Sequence, residues 1–289
     1  MLTRSTLLHL RIPFSYFLTP IFLLALSFVP QWEWPRMLLV FGIIHLFLYP
    51  ASNSFNTYYD RDEESIGSLK NPPPVSPELL PVSLLFDAVA LVLGFFVNWQ
   101  FVLYLFIYGL CSKAYSYDKI RLKKRPFASW LGTGLVQGSL TFLAVIYAMQ
   151  ASTFRELLQP ELLLPAGLMS GFLMASYPMT QVYQHKEDRK RGDLTLSLLL
   201  GIKGTFLFTA ICFSFVIAGF VLFYAKYQSL WHALLFVGCL SPVLCYFLHW
   251  FAQVYRDDRR ANYTKTMGLN FISATALNVF AAVCMLWQK

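Results

Sequence analysis

The chain has 289 residues, 57% hydrophobic and only 13% charged, where a soluble domain carries about 25% charged residues. Lipid is therefore the expected solvent, and the two or so soluble domains that the length alone would accommodate are excluded. The formal charge of +8 would suggest nucleic acid in a soluble protein, but here the basic residues lie between apolar segments, so topology explains them and nucleic acid is not expected as a partner.

A helix needs about 20 mostly apolar residues to cross the hydrocarbon core. Nine segments qualify: 12–30, 36–57, 80–98, 101–117, 127–150, 161–184, 204–225, 229–254 and 268–287. No small-residue cleavage site follows "IPFSYFLTPIFLLALSFVP", so the first is read as a retained helix rather than a signal peptide. The second ends in "NTYYDRDEESIGSLKNPPPVS". Only "VNWQF" separates the third from the short fourth, which carries Lys113. "YSYDKIRLKKRP" joins the fourth to the fifth, and the sixth ends in "QVYQHKEDRKRGDLTLSLLLG". Short alternating strands, the mark of a membrane barrel, are not seen.

With nine crossings, 19 of the 23 Lys and Arg fall on the side of the N-terminus and of loops 2–3, 4–5, 6–7 and 8–9. The other four are Arg36, Arg155, Lys226 and Lys289. The positive-inside rule makes the first side cytoplasmic. The expectation is an integral protein of a bacterial inner membrane, with the N-terminus cytoplasmic, the C-terminus extracytoplasmic and the polar site toward the cytoplasm. The five cysteines lie in apolar spans without paired spacing, which points to neither a disulfide framework nor a metal site. The whole of 1–289 reads as one domain. The two acidic helix ends, four spans apart, suggest a weak repeat with halves near 1–118 and 119–254, plus the last helix 268–287.

Asn56, Asp60 and Glu64 stand at i, i+4 and i+8, and would share one face of a continuing helix, with Asp62 and Glu63 pointing elsewhere. Gln181, Gln184, His185 and Asp188 stand at i, i+3, i+4 and i+7 and would share another. Carboxylate and amide oxygens suit Mg²⁺, which uses one or two carboxylates together with phosphate oxygens of a substrate. Lys119, Arg121 and Lys123 in the 4–5 loop form a candidate diphosphate cradle; Arg11 and Lys70 are candidates to join it. Each of these groups also reads as an ordinary solvated helix end or a topogenic loop.

With these residues in view, the chain resembles the UbiA superfamily of intramembrane prenyltransferases. The family's first motif, N-D-x-x-D-x-x-x-D, is matched at Asn56, Asp60 and Glu64. Its second, D-x-x-x-D-x-x-x-G followed by T-L, is matched at Asp188, Gly192, Thr195 and Leu196, with Gln184 in place of the first aspartate. "AYSYDKIRLKKRP" is similar to the family's 4–5 loop, and "RIP" to its N-terminal R-P-P. The arginine often found after the first motif is missing from "KNPPPVS", where Lys70 is the nearest substitute.

The resemblance implies an all-α bundle of nine transmembrane helices around a central cavity open to the cytoplasmic side and to lipid. It implies Mg²⁺ held by Asn56, Asp60, Glu64, Gln184 and Asp188. Arg121, Lys123 and Arg11 would stabilise a departing diphosphate, with Lys70, Lys119, Gln181, His185 and Tyr115 near the substrate. The implied reaction moves an isoprenyl group from a prenyl diphosphate to a lipid-soluble, aromatic acceptor in the membrane. The alternatives are a terpene synthase of the same fold, which cyclises the prenyl chain, and a non-catalytic polyprenyl-binding protein whose metal site has decayed at Gln184. A transporter would place its ionisable groups near the midplane; Asp87 and His45 are the deeper polar residues, and a helix–helix contact is the role expected of them.

Overall fold

The computed structural model describes residues 3–150 and 153–287. Every regular element among them is helical, and the one β-bridge, Ile66 to Leu69, lies within a loop. The long helices are α1 (Arg4–Leu26), α2 (Trp34–Asp60), α3 (Leu79–Gly94), α4 (Trp99–Ser116), α5 (Pro126–Gln150) and α6 (Pro160–Gln181). A short α7 (His185–Arg191) precedes α8 (Leu196–Tyr227), α9 (Leu230–Arg256) and α10 (Tyr263–Trp287). Seven of these are long and apolar enough to cross a membrane; α3 and α4, of 16 and 18 residues, occupy the third and fourth expected spans.

Local chemistry sets the helix boundaries. Proline near the start of α2, α5 and α6 gives up an N–H that the first turn would leave unbonded anyway. The Asn98 side chain accepts from Phe101 N at 2.8 Å and opens α4 after a minimal turn. The turn Ile43–Leu48 in α2 widens to π-helical just ahead of Pro50, whose missing N–H cannot continue the ladder. In α8 Gly201 is left-handed (φ 70), so the apolar helix proper begins beyond it, close to the expected start at 204.

Outward faces carry large apolar side chains, among them Phe96 (76% exposed), Phe215 (74%) and Leu222 (70%), a surface suited to lipid. Inside, Phe22, Ile44, Phe142, Phe220, Phe236 and Phe280 belong to one buried cluster. They sit on the halves of their helices remote from loops 2–3, 4–5, 6–7 and 8–9. A smaller cluster around Phe206 and Trp250 braces the loop side. Helix α10 packs back on α1, closing a ring in which every long helix except α3 lines a central cavity of about 480 Å³. Helix α3 stands outside this ring, packed on α2, with Asp87 ion-paired to Lys113 of α4. His45 is stacked on Phe41, with ring centroids 4.0 Å apart. Phe41 belongs to the same helix; the contact of His45 with another helix is edge-on to Phe22 of α1, with ring centroids 5.7 Å apart.

Candidate active site

Helix α2 ends at Asp60 because Arg61 is left-handed (φ 48) and its N–H closes on Thr57 O. The face expected to continue through Glu64 therefore stops at Asp60. Past the turn, Asp62 points inward with 11% of its side chain exposed and Arg191 at 2.8 Å. Glu64 is 44% exposed and pairs with Lys186. The second stretch is also broken. The last turn of α6 tightens at Tyr177–Gln181, residues 182–184 leave the helix, and α7 restarts at His185. Left-handed Gly192 (φ 68) ends α7, and Thr195 then caps α8 while donating to Asp188 Oδ2 at 3.1 Å.

These turns surround a polar pocket of about 110 Å³. Asn56, Asp60 and Asp62 face it from the first stretch, and Gln181, Gln184 and Asp188 from the second. Lys123, Tyr115 and Arg11 complete it. Arg11, itself left-handed (φ 51) and buried, donates from Nε to Gly67 O at 2.8 Å and lies over the Phe14 ring at 4.5 Å. Asn56 Nδ2 bridges Asp60 Oδ2 at 2.8 Å and Ser116 Oγ at 2.9 Å. Tyr115 and Tyr177 share a hydrogen bond between hydroxyls at 2.5 Å. Among the described residues, Arg11, Arg61, Ser68 and Arg121 are the non-glycine positions with positive φ. Three of the four are arginines at or beside this pocket, where backbone strain is commonly concentrated for function.

Behind the pocket four buried charges form a closed square. Asp60 Oδ1 meets Lys123 Nζ at 2.8 Å and Arg121 Nη2 at 3.2 Å. Asp193 takes Arg121 as a two-pronged fork, at 2.8 Å from Nε and 2.9 Å from Nη2, and Lys123 at 2.8 Å. Although burial favours the neutral acid at Asp193, Arg121 and Lys123 hold its carboxyl below the usual range. Burial also opposes the charge on Lys123, but Asp60 and Asp193 raise its pKa nonetheless. Two acids on the pocket wall go the opposite way from Asp193. Burial, with a contribution from Asp60, pushes Asp62 up to about 6. Burial pushes Asp188 up to about 7 despite the opposing charge of Lys123.

The model of the UbiA prenyltransferase family matches residues 15–275. The chain belongs to this family. No curated protein matches it by sequence. Among solved structures, it is similar to a UbiA homologue from Archaeoglobus fulgidus bound to DMAPP and Mg²⁺. The two are 17% identical over 98% of this chain and 99% of that one, with a TM-score of 0.70. A digeranylgeranylglyceryl phosphate synthase is 18% identical over 98% of both chains, with a TM-score of 0.63. At these identities the likeness speaks for the UbiA fold, not for a shared substrate.

Against the UbiA motifs, the pocket gathers Asn56, Asp60, Gln184, Asp188, Lys123, Arg11, Gln181 and Tyr115. Five expected residues do not line it. Lys70 and Lys119 are exposed and do not line it. His185 turns to Ser197 Oγ at 2.8 Å, and burial holds it down at about 4. Glu64 sits outside with Lys186. Arg121 reaches Asp60 but stands behind Lys123 rather than on the pocket wall. Sequence reasoning missed Asp193 and the inward turn of Asp62. For Asp193 the available signal was its place directly after Gly192, a residue that takes positive φ readily; no sequence signal marks Arg61 as left-handed ahead of Asp62.

The fit of a divalent cation follows from the donor set. Among the described residues, no three His, Cys, Asp or Glu side chains converge as a ready cage. Asp60, Asp62 and Asp188 nevertheless face one small pocket. The buried Gln181 Oε1 there has no hydrogen-bond partner. A few oxygen donors, with room for the oxygens of a phosphate, are what Mg²⁺ takes.

Proposed function

We propose that this UbiA-family protein is a Mg²⁺-dependent prenyltransferase that moves an isoprenyl group from a prenyl diphosphate to a lipid-soluble, aromatic acceptor within the membrane. The observation that carries the reading is the junction of two unlike cavities. The polar pocket of about 110 Å³ and the mainly apolar cavity of about 480 Å³ share Arg11, Phe14, Asn56, Tyr115, Tyr177 and Thr180. A ligand that is a diphosphate at one end and a hydrocarbon at the other matches that pair. The DMAPP of the Archaeoglobus relative is such a molecule.

Three carboxylates facing a diphosphate would repel it, so a divalent cation is the natural counter-charge. Asp60, Asp62 and Asp188, with Asn56 and Gln184, are the residues we assign to hold it; Glu64 lies too far outside to be one of them while paired with Lys186. Mg²⁺ bound there would supply neutralising charge to the diphosphate oxygens. Lys123 and Arg11 bind the diphosphate and stabilise the negative charge that grows on it as the allylic carbon–oxygen bond breaks. The rings of Tyr115, Tyr177 and Phe14 flank the junction where that carbon would lie, and aromatic faces stabilise a cation. The larger cavity holds the tail and excludes water from the cation. The acceptor attacks from within the same cavity.

We further propose nine crossings, with α3 and α4 among them, and the pocket at the cytoplasmic face. At about 1.5 Å per residue a 16-residue helix spans about 24 Å, so α3 would cross with the help of residues 95–98. The separation of basic residues supports this orientation.

The deciding experiment is mass spectrometry of products formed by the purified protein with Mg²⁺, several prenyl diphosphates and a membrane-lipid extract. The expected product is an acceptor carrying the prenyl group. A cyclic hydrocarbon or alcohol would replace transfer with cyclisation. No consumption of any prenyl diphosphate would remove the enzymatic reading.

A further inference from the structure

We propose that Asp193 is a positioning residue that holds Arg121 and Lys123 as a pre-arranged cationic pair, so that the oxygens of Asp60 can turn to a metal ion. The proposal rests on the diphosphate reading above. Asp193 does not line the pocket, and its side chain is fully buried. It is the only member of the four-charge square whose partners are both cations shared with Asp60 and which itself faces no ligand space. Its backbone N–H donates to Asp188 O at 2.9 Å across left-handed Gly192, so the turn that places Asp188 also places Asp193.

The arrangement matters because of what Asp60 would otherwise do. Asp60 Oδ1 accepts from both Lys123 and Arg121. Two buried cations with one carboxylate between them would clamp on it, since an uncompensated buried charge is strongly unfavourable. With Asp193 as their second counter-charge, each cation keeps a partner when Asp60 rotates toward a metal, and neither has to move. Preorganised cations of this kind act on developing charge without reorganising during reaction. Groups behind a metal site commonly matter about 10- to 100-fold in metal affinity or activity.

Asp193→Asn, nearly isosteric, tests this in the full-length purified protein. Mg²⁺ is titrated in the presence of inorganic pyrophosphate, with the thermal unfolding midpoint as readout; diphosphate release gives kcat and KM separately. The expected result is a half-saturating Mg²⁺ concentration raised about 10- to 100-fold, with a lower kcat. The KM for prenyl diphosphate should not rise, because the charge lost is a negative one behind the pocket and no diphosphate-binding cation is removed. Arg121→Lys keeps the charge but removes the fork; it should shift the Mg²⁺ midpoint in the same direction, and it decides the matter if Asp193→Asn fails to fold. A folded variant of either kind with the parental Mg²⁺ midpoint, and only a lowered unfolding temperature, would reduce Asp193 to a structural strut and overturn the proposal. The pyrophosphate titration needs no prenyl substrate, so a parent that binds Mg²⁺ yet turns over no prenyl diphosphate sinks the transferase reading while the comparison of midpoints still decides the role of Asp193. A parent with no Mg²⁺ response overturns both.

Discussion

Asp62 and Glu64 exchange the places that helical spacing assigns them, and two isosteric amide variants separate the two arrangements. Glu64→Gln removes an acid whose side chain is 44% exposed and whose partner, Lys186, is 80% exposed. Exposed ion pairs of this kind contribute little, so activity and the Mg²⁺ requirement should stay within about twofold of the parent. Asp62→Asn removes a carboxylate that faces the pocket, 11% exposed and 2.8 Å from Arg191. Arg191 keeps weaker company, Asp60 at 3.7 Å and Glu187 at 4.0 Å, so the cost falls short of breaking an isolated buried pair. Losing a charged partner or ligand in such a site costs about 1–3 kcal/mol, which is about 5- to 150-fold in an equilibrium constant. Diphosphate release measured across a Mg²⁺ titration, with thermal unfolding as a control for folding, reads both variants. If Glu64→Gln proves as damaging as Asp62→Asn, the chain continues as a helix past Asp60 in the working protein, without the turn at Arg61.

Three other outcomes are expected. A Cβ at Gly67 would lie 2.4 Å from Phe14 Cε2 and 2.5 Å from Arg11 Nη2, so Gly67→Ala should cost about 1–3 kcal/mol of stability by overpacking and raise KM for the diphosphate as Arg11 is displaced; an unchanged KM would count against a role for Arg11. With Asp62 at about 6 and Asp188 at about 7, protons compete with Mg²⁺, and half-saturating Mg²⁺ should fall as pH rises through 6 and 7, then level off. Raised carboxyl pKa values favour the folded state at acid pH, and that contribution is lost as pH rises from about 4, the unfolded carboxyl value, through 6 and 7, so the ligand-free unfolding temperature should fall across that range while the gain on adding Mg²⁺ grows; a pH-independent Mg²⁺ midpoint would refute the assignment. A reporter near Lys124 should be cytoplasmic and one fused after Lys289, which lies outside the described residues, extracytoplasmic; both on one side would overturn the proposed orientation.

Much of this protein could be read without coordinates because lipid imposes a simple rule. Backbone groups must be satisfied within each crossing segment, so apolar runs became helices α1, α2, α5, α6, α8, α9 and α10, with α2, α5, α6 and α9 close to the expected limits; α1 is broken at left-handed Arg11 and ends at Leu26, short of the expected 30. Asn56, Asp60, Lys123 and Asp188 were likewise identifiable, because each stands at or just beyond the end of such a run and takes its place from it. Beyond the helix ends the 3.6-residue period has no authority. One left-handed residue, Arg61 at φ 48 or Gly192 at φ 68, turns the chain and resets which side chains face inward. That is why Asp62 entered the pocket and Glu64 left it; His185 was parted from Gln184 by the break at 182–184, where the chain leaves one helix and restarts another, and it turned to Ser197. The pairing of Asp193 with Arg121 and Lys123 joins positions some 70 residues apart. No local pattern encodes it; only the packing of α7 and α8 beside the loop between α4 and α5 brings those charges to hydrogen-bond distance, where burial obliges each to find a partner.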